Sequence, residues 1–230
     1  MIKILIPFIF ISFSHANTHH YQVEFMGIDV AKVSMAHRDT VFANHVATVV
    51  EFSASTEAVS SFFYPIDNHY EIIHSTDTHQ ILSFKKITTQ PGLHNELFTD
   101  LKDNLPYYHD SEVSISNGTI TIFTLFHLIA HDLLDAGEDF IIEREGLNYK
   151  ASLLKLPNGS NIQKYKLNLN ANSSTDKIGI LEHTDIFTWG VFKENSARAI
   201  WVNTSEQRIE KCNFDVGFFN LTAEYLFTDE

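Results

Sequence analysis

Apolar and polar residues alternate along most of this chain, and the alternation gives way once, near its middle. Val113 and Ile115, then Ile120 and Ile122, alternate with polar neighbours on either side of Asn117-Gly118. Asn-Gly between two alternating runs predicts a β-hairpin, because both residues of a tight two-residue turn must accept positive φ. The period then changes from two to 3.6. Leu125, Leu128, Ile129 and Leu133 recur at helical spacing and predict a short amphipathic helix over Thr124–Leu134. Val113–Gly137 is therefore expected to be a pivot between two strand-rich halves.

Before the pivot, Tyr21–Phe25 and Val30–Met35 read as strands joined at Gly27. His45–Phe52 is β-branched and reads as a buried strand. Val59–Tyr64, Tyr70–His74 and Gln80–Ile87 follow as further strands, and Thr88–Glu112, with Pro91-Gly92, Asp103-Asn104 and Pro106, reads as a long loop with short ordered pieces. After the pivot, Phe140–Glu145 resumes the strand pattern. Leu147–Leu156 and Ile162–Leu169 form a second expected hairpin across Pro157-Asn158-Gly159. Its second arm alternates strictly, which is the mark of a sheet with one wet face. Ala171–Asp176 is a polar loop, and Ile186–Phe192, Ala199–Asn203, Arg208–Val216 and Phe218–Phe227 complete the strands. Many short strands and one helix predict an all-β, mainly antiparallel fold: a sandwich or a partly open barrel with one short central helix.

The first sixteen residues have another character. Lys3, the apolar run Ile4–Phe13 and Ser14-His15-Ala16 match a secretory signal peptide, with cleavage expected after Ala16. The run is too short for a confident membrane span, so no integral span is expected after cleavage. The reading is a signal peptide over 1–16 and a single exported β domain over 17–230, with a Gram-negative periplasm as the expected address. The one cysteine, Cys212, rules out an internal disulfide, so the fold must rest on its apolar core. A formal net charge of −13 without any Lys/Arg cluster makes nucleic acid and anionic membrane surfaces poor partners.

Several landmarks line up in order: Tyr21–Ile28 followed by Val30–Met35, Phe126–Ala130 and Gly137-Glu138 at the pivot, then Ala199-Ile200-Trp201-Val202-Asn203 followed by Arg208. In this series the chain resembles the exported bacterial proteins of the DUF3108 family. It departs from them at Ala31-Lys32, where a Gly is usual, and at Phe126–Ala130, which replaces an Asp-Pro-Leu-Ser-type helix start. The resemblance implies an envelope-resident, β-rich domain, and it implies no activity or catalytic residue.

Candidate chemistry is sparse. No Gly-x-Ser-x-Gly elbow and no Gly-rich phosphate loop is present, so no catalytic residue is assigned and no enzyme is expected. Thirteen histidines are many. His127 and His131 stand four apart, so a helix would carry both rings on one face, within reach of a single metal ion. Leu128 stands where a zincin has its general base, which argues against hydrolytic zinc chemistry. The alternative is two polar-face histidines near a helix end, where imidazolium suits the dipole. His19 would become the third residue after cleavage, where a free amine, two backbone amides and an imidazole can wrap Cu(II) or Ni(II) in a square plane. An inert tail is the simpler reading there. No cofactor is expected.

With nineteen Phe, most aromatic residues must be core, yet an unclosed barrel can leave some lining an apolar cavity. The functional expectation is a non-enzymatic envelope protein that binds or carries a hydrophobic or amphipathic ligand, with the helix as plug or lid. The alternative is a structural or assembly factor that binds another envelope protein through an exposed strand or apolar patch. A carrier predicts an apolar cavity of roughly 300 Å3 or more that opens to solvent.

Overall fold

The computed structural model describes residues 17–56, 64–103, 105–109, 111, 113–134, 137–157, 161–171 and 179–229. The expected signal peptide and most of the expected strand Val59–Tyr64 lie outside the described residues. So do the Asn158-Gly159 turn and most of the polar loop after Ala171.

The first half runs as β1 (Thr18–Phe25), β2 (Ile28–Phe42), β3 (His45–Ser55), β4 (Asp67–Ser75), β5 (Ile81–Gln90), β6 (Leu93–Lys102) and β7 (Leu105–Tyr108). The pivot holds β8 (Thr119–Ile120) and α1 (Ile122–Ala130). The second half runs as β9 (Asp139–Arg144), β10 (Leu147–Leu156), β11 (Ile162–Ala171), α2 (Ile186–Phe192), β12 (Ala197–Asn203), β13 (Arg208–Val216) and β14 (Phe219–Asp229). All strands belong to one sheet in the order β7-β6-β5-β4-β3-β2-β1-β14-β13-β12-β11-β10-β9-β8. Each neighbouring pair is antiparallel except β8 and β9. The sheet is not closed into a barrel.

This order places the two ends of the chain side by side. Thr18 of β1 pairs with Asp229 of β14, and both strands sit in the middle of the sheet. The free edges, β7 and β8, come from mid-sequence. The sheet curls so that its distant parts meet through side chains: Lys86 of β5 binds Glu145 beyond β9, and Tyr108 of β7 binds Glu143 of β9.

Alternation decides what faces inward. On β1 the inward set is His19, Tyr21, Val23 and Phe25; on β2 it is Ala31, Val33, Met35 and His37. α1 fills the interior. All nine of its residues are buried, and it packs on β3 and β4 from one half and on β12 and β13 from the other. Phe123 of α1 meets Phe52, Tyr70 and Phe187, joining both halves in one apolar cluster. Thr121 caps the helix by accepting the Thr124 amide at 3.0 Å.

Four expectations are corrected. Asn117-Gly118 does turn the chain, but its arms do not pair with each other. Among the described residues only Gly118 of the two has positive φ, so the hairpin geometry is absent. The Ile115 amide instead binds the Pro106 carbonyl, and Ile120 pairs with Ile142. The helix is not amphipathic: strands surround it, and it starts two residues earlier and ends four earlier than its pattern suggests. Thr88–Glu112 is not a loop, because Pro91-Gly92 is a tight turn between β5 and β6. Ile186–Phe192 is a helix, since Asp185 caps it by accepting the Thr188 amide at 2.9 Å. A seven-residue apolar run carries no decisive period, and the cap settles it.

Candidate functional site

Three features of the interior bear on function: an apolar cavity, a buried ion network and a cluster of imidazoles.

The cavity has a volume of about 500 Å3 and lies between the β1–β2 hairpin end, the end of β3, the starts of β4 and β14, and α2. Its walls are Val23, Phe25, Val33, Ala54, Phe187 and Leu221, and the exposed side chains of Ile28 and Tyr64 stand at its rim. One lining residue is polar and deeply buried. Asn68 is 1% exposed, and neither its amide nitrogen nor its carbonyl oxygen has a hydrogen-bond partner among the described residues. The Thr88 hydroxyl, on the neighbouring strand in register with Asn68, is also unpartnered. An unsatisfied buried amide costs about 1–3 kcal/mol, so Asn68 marks where a polar group of an occupant would be stabilised. Next to the rim, Met26, Ile28, Phe218 and Phe219 form an exposed apolar group, tied together by the Met26 amide bonding the Asn220 carbonyl at 2.9 Å.

The ion network lies outside the cavity lining, beside a second and much smaller space. Lys86 is buried with Glu145 and Asp185 as salt-bridge partners, the latter at 2.6 Å. Burial pushes the Asp185 carboxyl up, but the Lys86 ammonium and the Lys86 and Thr188 hydrogen bonds outweigh it and hold the group below the usual carboxylate range. Glu143 lacks such a cation. Burial raises its carboxyl from 4.5 to about 7, against hydrogen bonds from the Tyr108 hydroxyl at 2.7 Å and the Gly146 amide at 2.6 Å. The space beside these groups is about 20 Å3, too small for a substrate, so the network fastens β5, the β9–β10 turn and α2 to one another. Sequence reading missed it. The available signal was alternation: Lys86 keeps step with Leu82 and Phe84, which places it on the inner face.

The imidazoles gather at the other end of the interior. His127 lies buried in the last turn of α1, and His131 is its C-cap residue. His37 of β2 completes a triangle, with ring centroids 4.8 Å from His127 and 4.7 Å from His131; His127 and His131 are 4.4 Å apart. Their ligand nitrogens all lie within 4.8 Å of one another. The surroundings favour the neutral form of His37 and His127. Burial, then the neighbouring rings, brings His37 down to about 4 and His127 to about 2. The polar-face placement considered for the pair does not hold for His127, which packs inside the roll. His37 went unnoticed in the sequence, although it keeps step with Val33 and Met35.

His19 is brought toward the same cluster rather than left on a tail. It is paired in β1 with Met35 on one side and Thr228 on the other, and its Nδ1 lies 2.9 Å from the Thr228 hydroxyl. Burial, then Arg208, then a proton on His131 all lower its pKa. The His19 backbone is held in the sheet between β2 and β14.

Cys212, expected as a buried thiol, is buried on β13, and desolvation pushes its pKa up to about 12. Among the described residues no helix is long and apolar enough to cross a membrane.

No family model matches the chain, and no match to a curated protein was found. Among solved structures the chain is similar to a β-barrel-like protein of domain of unknown function DUF1849 from Brucella abortus. The two share 8% identity with a TM-score of 0.54, over 93% of this chain and 97% of that one. At that identity the likeness is one of fold alone, and that fold is described as β-barrel-like.

Proposed function

We propose that this chain is an exported envelope protein that holds an amphipathic ligand in the cavity between β1, β2, β4 and α2. The observation that carries the reading is Asn68, unpartnered among the described residues, in the wall of a cavity lined mainly by apolar side chains. An aliphatic or aromatic body would occupy the space beside Val23, Val33 and Leu221, and a carbonyl, hydroxyl or amide of the ligand would meet Asn68. The volume of about 500 Å3 fits a lipid-sized or drug-sized molecule. The resemblance to DUF3108 proteins and the leader-like first sixteen residues support an address in the periplasm. Mass spectrometry of the protein recovered from a Gram-negative periplasm is expected to find a chain starting at Asn17.

The binding test uses 1-N-phenylnaphthylamine as the probe. Saturable fluorescence enhancement is expected, with displacement by oleate and loss in A54F, which fills the cavity from a wall position. Asn68→Leu is expected to discriminate against oleate while retaining the uncharged, largely aromatic probe. No saturable binding by the wild-type protein, or unchanged binding by a folded A54F, would overturn the proposal.

A second reading has one observation in its favour. Met26, Ile28, Phe218 and Phe219 form an exposed apolar group of the sort that marks a protein contact. If the chain is an assembly factor, M26S/F218S, at two exposed positions outside the cavity lining, abolishes partner capture while the probe still binds.

A further inference from the structure

We infer that His37, His127 and His131 form a site for one borderline divalent metal ion, of the zinc or copper class. The site is separate from the cavity. Four residues along β1, roughly 13 Å at strand rise, divide His19 beside the imidazoles from Val23 in the cavity wall.

The first argument is convergence. The three rings come from two elements far apart in sequence, and their ligand atoms lie within 4.8 Å of one another. Four-coordinate zinc with Zn–N bonds of about 2.0–2.1 Å needs nitrogens about 3.3 Å apart, so side-chain adjustments of an ångström or so bring them onto one ion. The second argument is the state of the nitrogens. His131 Nδ1 lies 2.9 Å from the His127 carbonyl oxygen, which can only accept. Nδ1 therefore carries the proton and Nε2 presents its lone pair, the arrangement by which an outer partner orients a metal-ligating imidazole. His127 Nδ1 is buried with no partner.

Third, the ligand atoms sit at the C-terminal end of α1, where the helix dipole favours a cation. The donor set is all nitrogen. That chemistry suits zinc, copper or nickel rather than calcium or magnesium, which take oxygen. Three imidazoles leave a fourth position open to water or an exogenous ligand. His74 lies behind the triangle, its ring 5.5 Å from His127 and its Nδ1 3.1 Å from the Ser75 carbonyl.

The test is calorimetric titration of the full mature chain, after chelator treatment, with Zn(II) and Cu(II) in separate runs and Mg(II) as control. One equivalent of Zn(II) or Cu(II) is expected to bind, and Mg(II) is not. Because His127 is buried and its replacement threatens the fold, the diagnostic variants are H37Q and H131Q, with exposed His94→Gln as reference. Each diagnostic variant is expected to weaken binding by at least about 100-fold, beyond what loss of an outer-shell partner costs. His94→Gln leaves binding unchanged. Metal is also expected to raise the melting temperature of wild-type protein and not of H37Q/H131Q. Absence of stoichiometric binding in wild type overturns the inference. So does binding that survives in a folded H37Q/H131Q double variant, which would move the metal to the chain terminus or elsewhere.

Discussion

At the scale of single residues, the interior carries charge where apolar packing would have been simpler. Glu143 is a carboxyl raised from 4.5 to about 7 by burial, so the folded protein holds its proton more tightly than the unfolded chain does. Its stabilising contribution is therefore complete below about pH 4.5 and is lost as pH rises through about 7. The span corresponds to about 3 kcal/mol. Glu143→Gln mimics the protonated form and keeps the acceptor for Tyr108 and Gly146. It is expected to melt like wild type at pH 4.5 and several degrees higher at pH 8, as read by thermal circular dichroism at the two pH values. Equal melting at both would contradict this account of the residue. Lys86 behaves oppositely. Lys86→Met leaves two carboxylates, Glu145 and Asp185, buried without their cation, and is expected to cost about 3–5 kcal/mol in urea unfolding. Adding E145Q and D185N to Lys86→Met is expected to recover part of that loss, because the penalty lies in unpaired charge rather than missing volume.

At the scale of elements, α1 is the part on which both halves close. Leu128 is fully buried on it, and Leu128→Ala is expected to cost about 2–5 kcal/mol by leaving a cavity. The β9–β10 turn is the tightest connection near the ion network. Gly146 has a φ of +87°, and a Cβ there would meet the Ile180 side chain at 3.0 Å, so Gly146→Ala is strained by both backbone and packing. It is expected to lower the melting temperature markedly. These elements also show what the sequence could and could not say. Hairpins such as β10–β11 were legible because one face is wet and the period-two pattern is complete. α1 was legible as a helix but not as a buried one. Its polar residues, Thr124 and His127, suggested a solvent face, whereas they lie inside the roll with Thr124 bonded to Thr121 and His127 against other imidazoles. α2 was misread because its seven residues lack a decisive period and its cap, Asp185, is shared with Lys86 of a distant strand. The histidine pair was visible from its spacing; the third ring, His37, depends on how β2 is laid against α1, which no local pattern states. The cavity was expected only as a class of feature, since its wall combines five strands and α2 from both halves.

At the scale of the whole molecule, the first and last strands are interior to the sheet rather than at its edges. β14 pairs with β13 on one side and β1 on the other, while the edges β7 and β8 lie at mid-sequence. A strand at the edge can be lost with only one ladder broken; loss of β14 breaks two and separates the sheet into two pieces. It also removes Leu221 from the cavity wall and Ala223 from the small apolar space beside Tyr21 and Phe126. Because α1 packs on strands from both pieces, neither piece keeps a covered core without the other. Truncation after Val216 is therefore expected to abolish cooperative unfolding altogether, not to trim stability. Calorimetry of the intact chain is expected to show one transition, and Val50→Ala in β3 and Leu167→Ala in β11 to shift that same transition downward. Two separable transitions, each moved by only one of those substitutions, would mean that the halves on either side of α1 stand as independent cores and that the cavity between them is not a fixed feature of the fold.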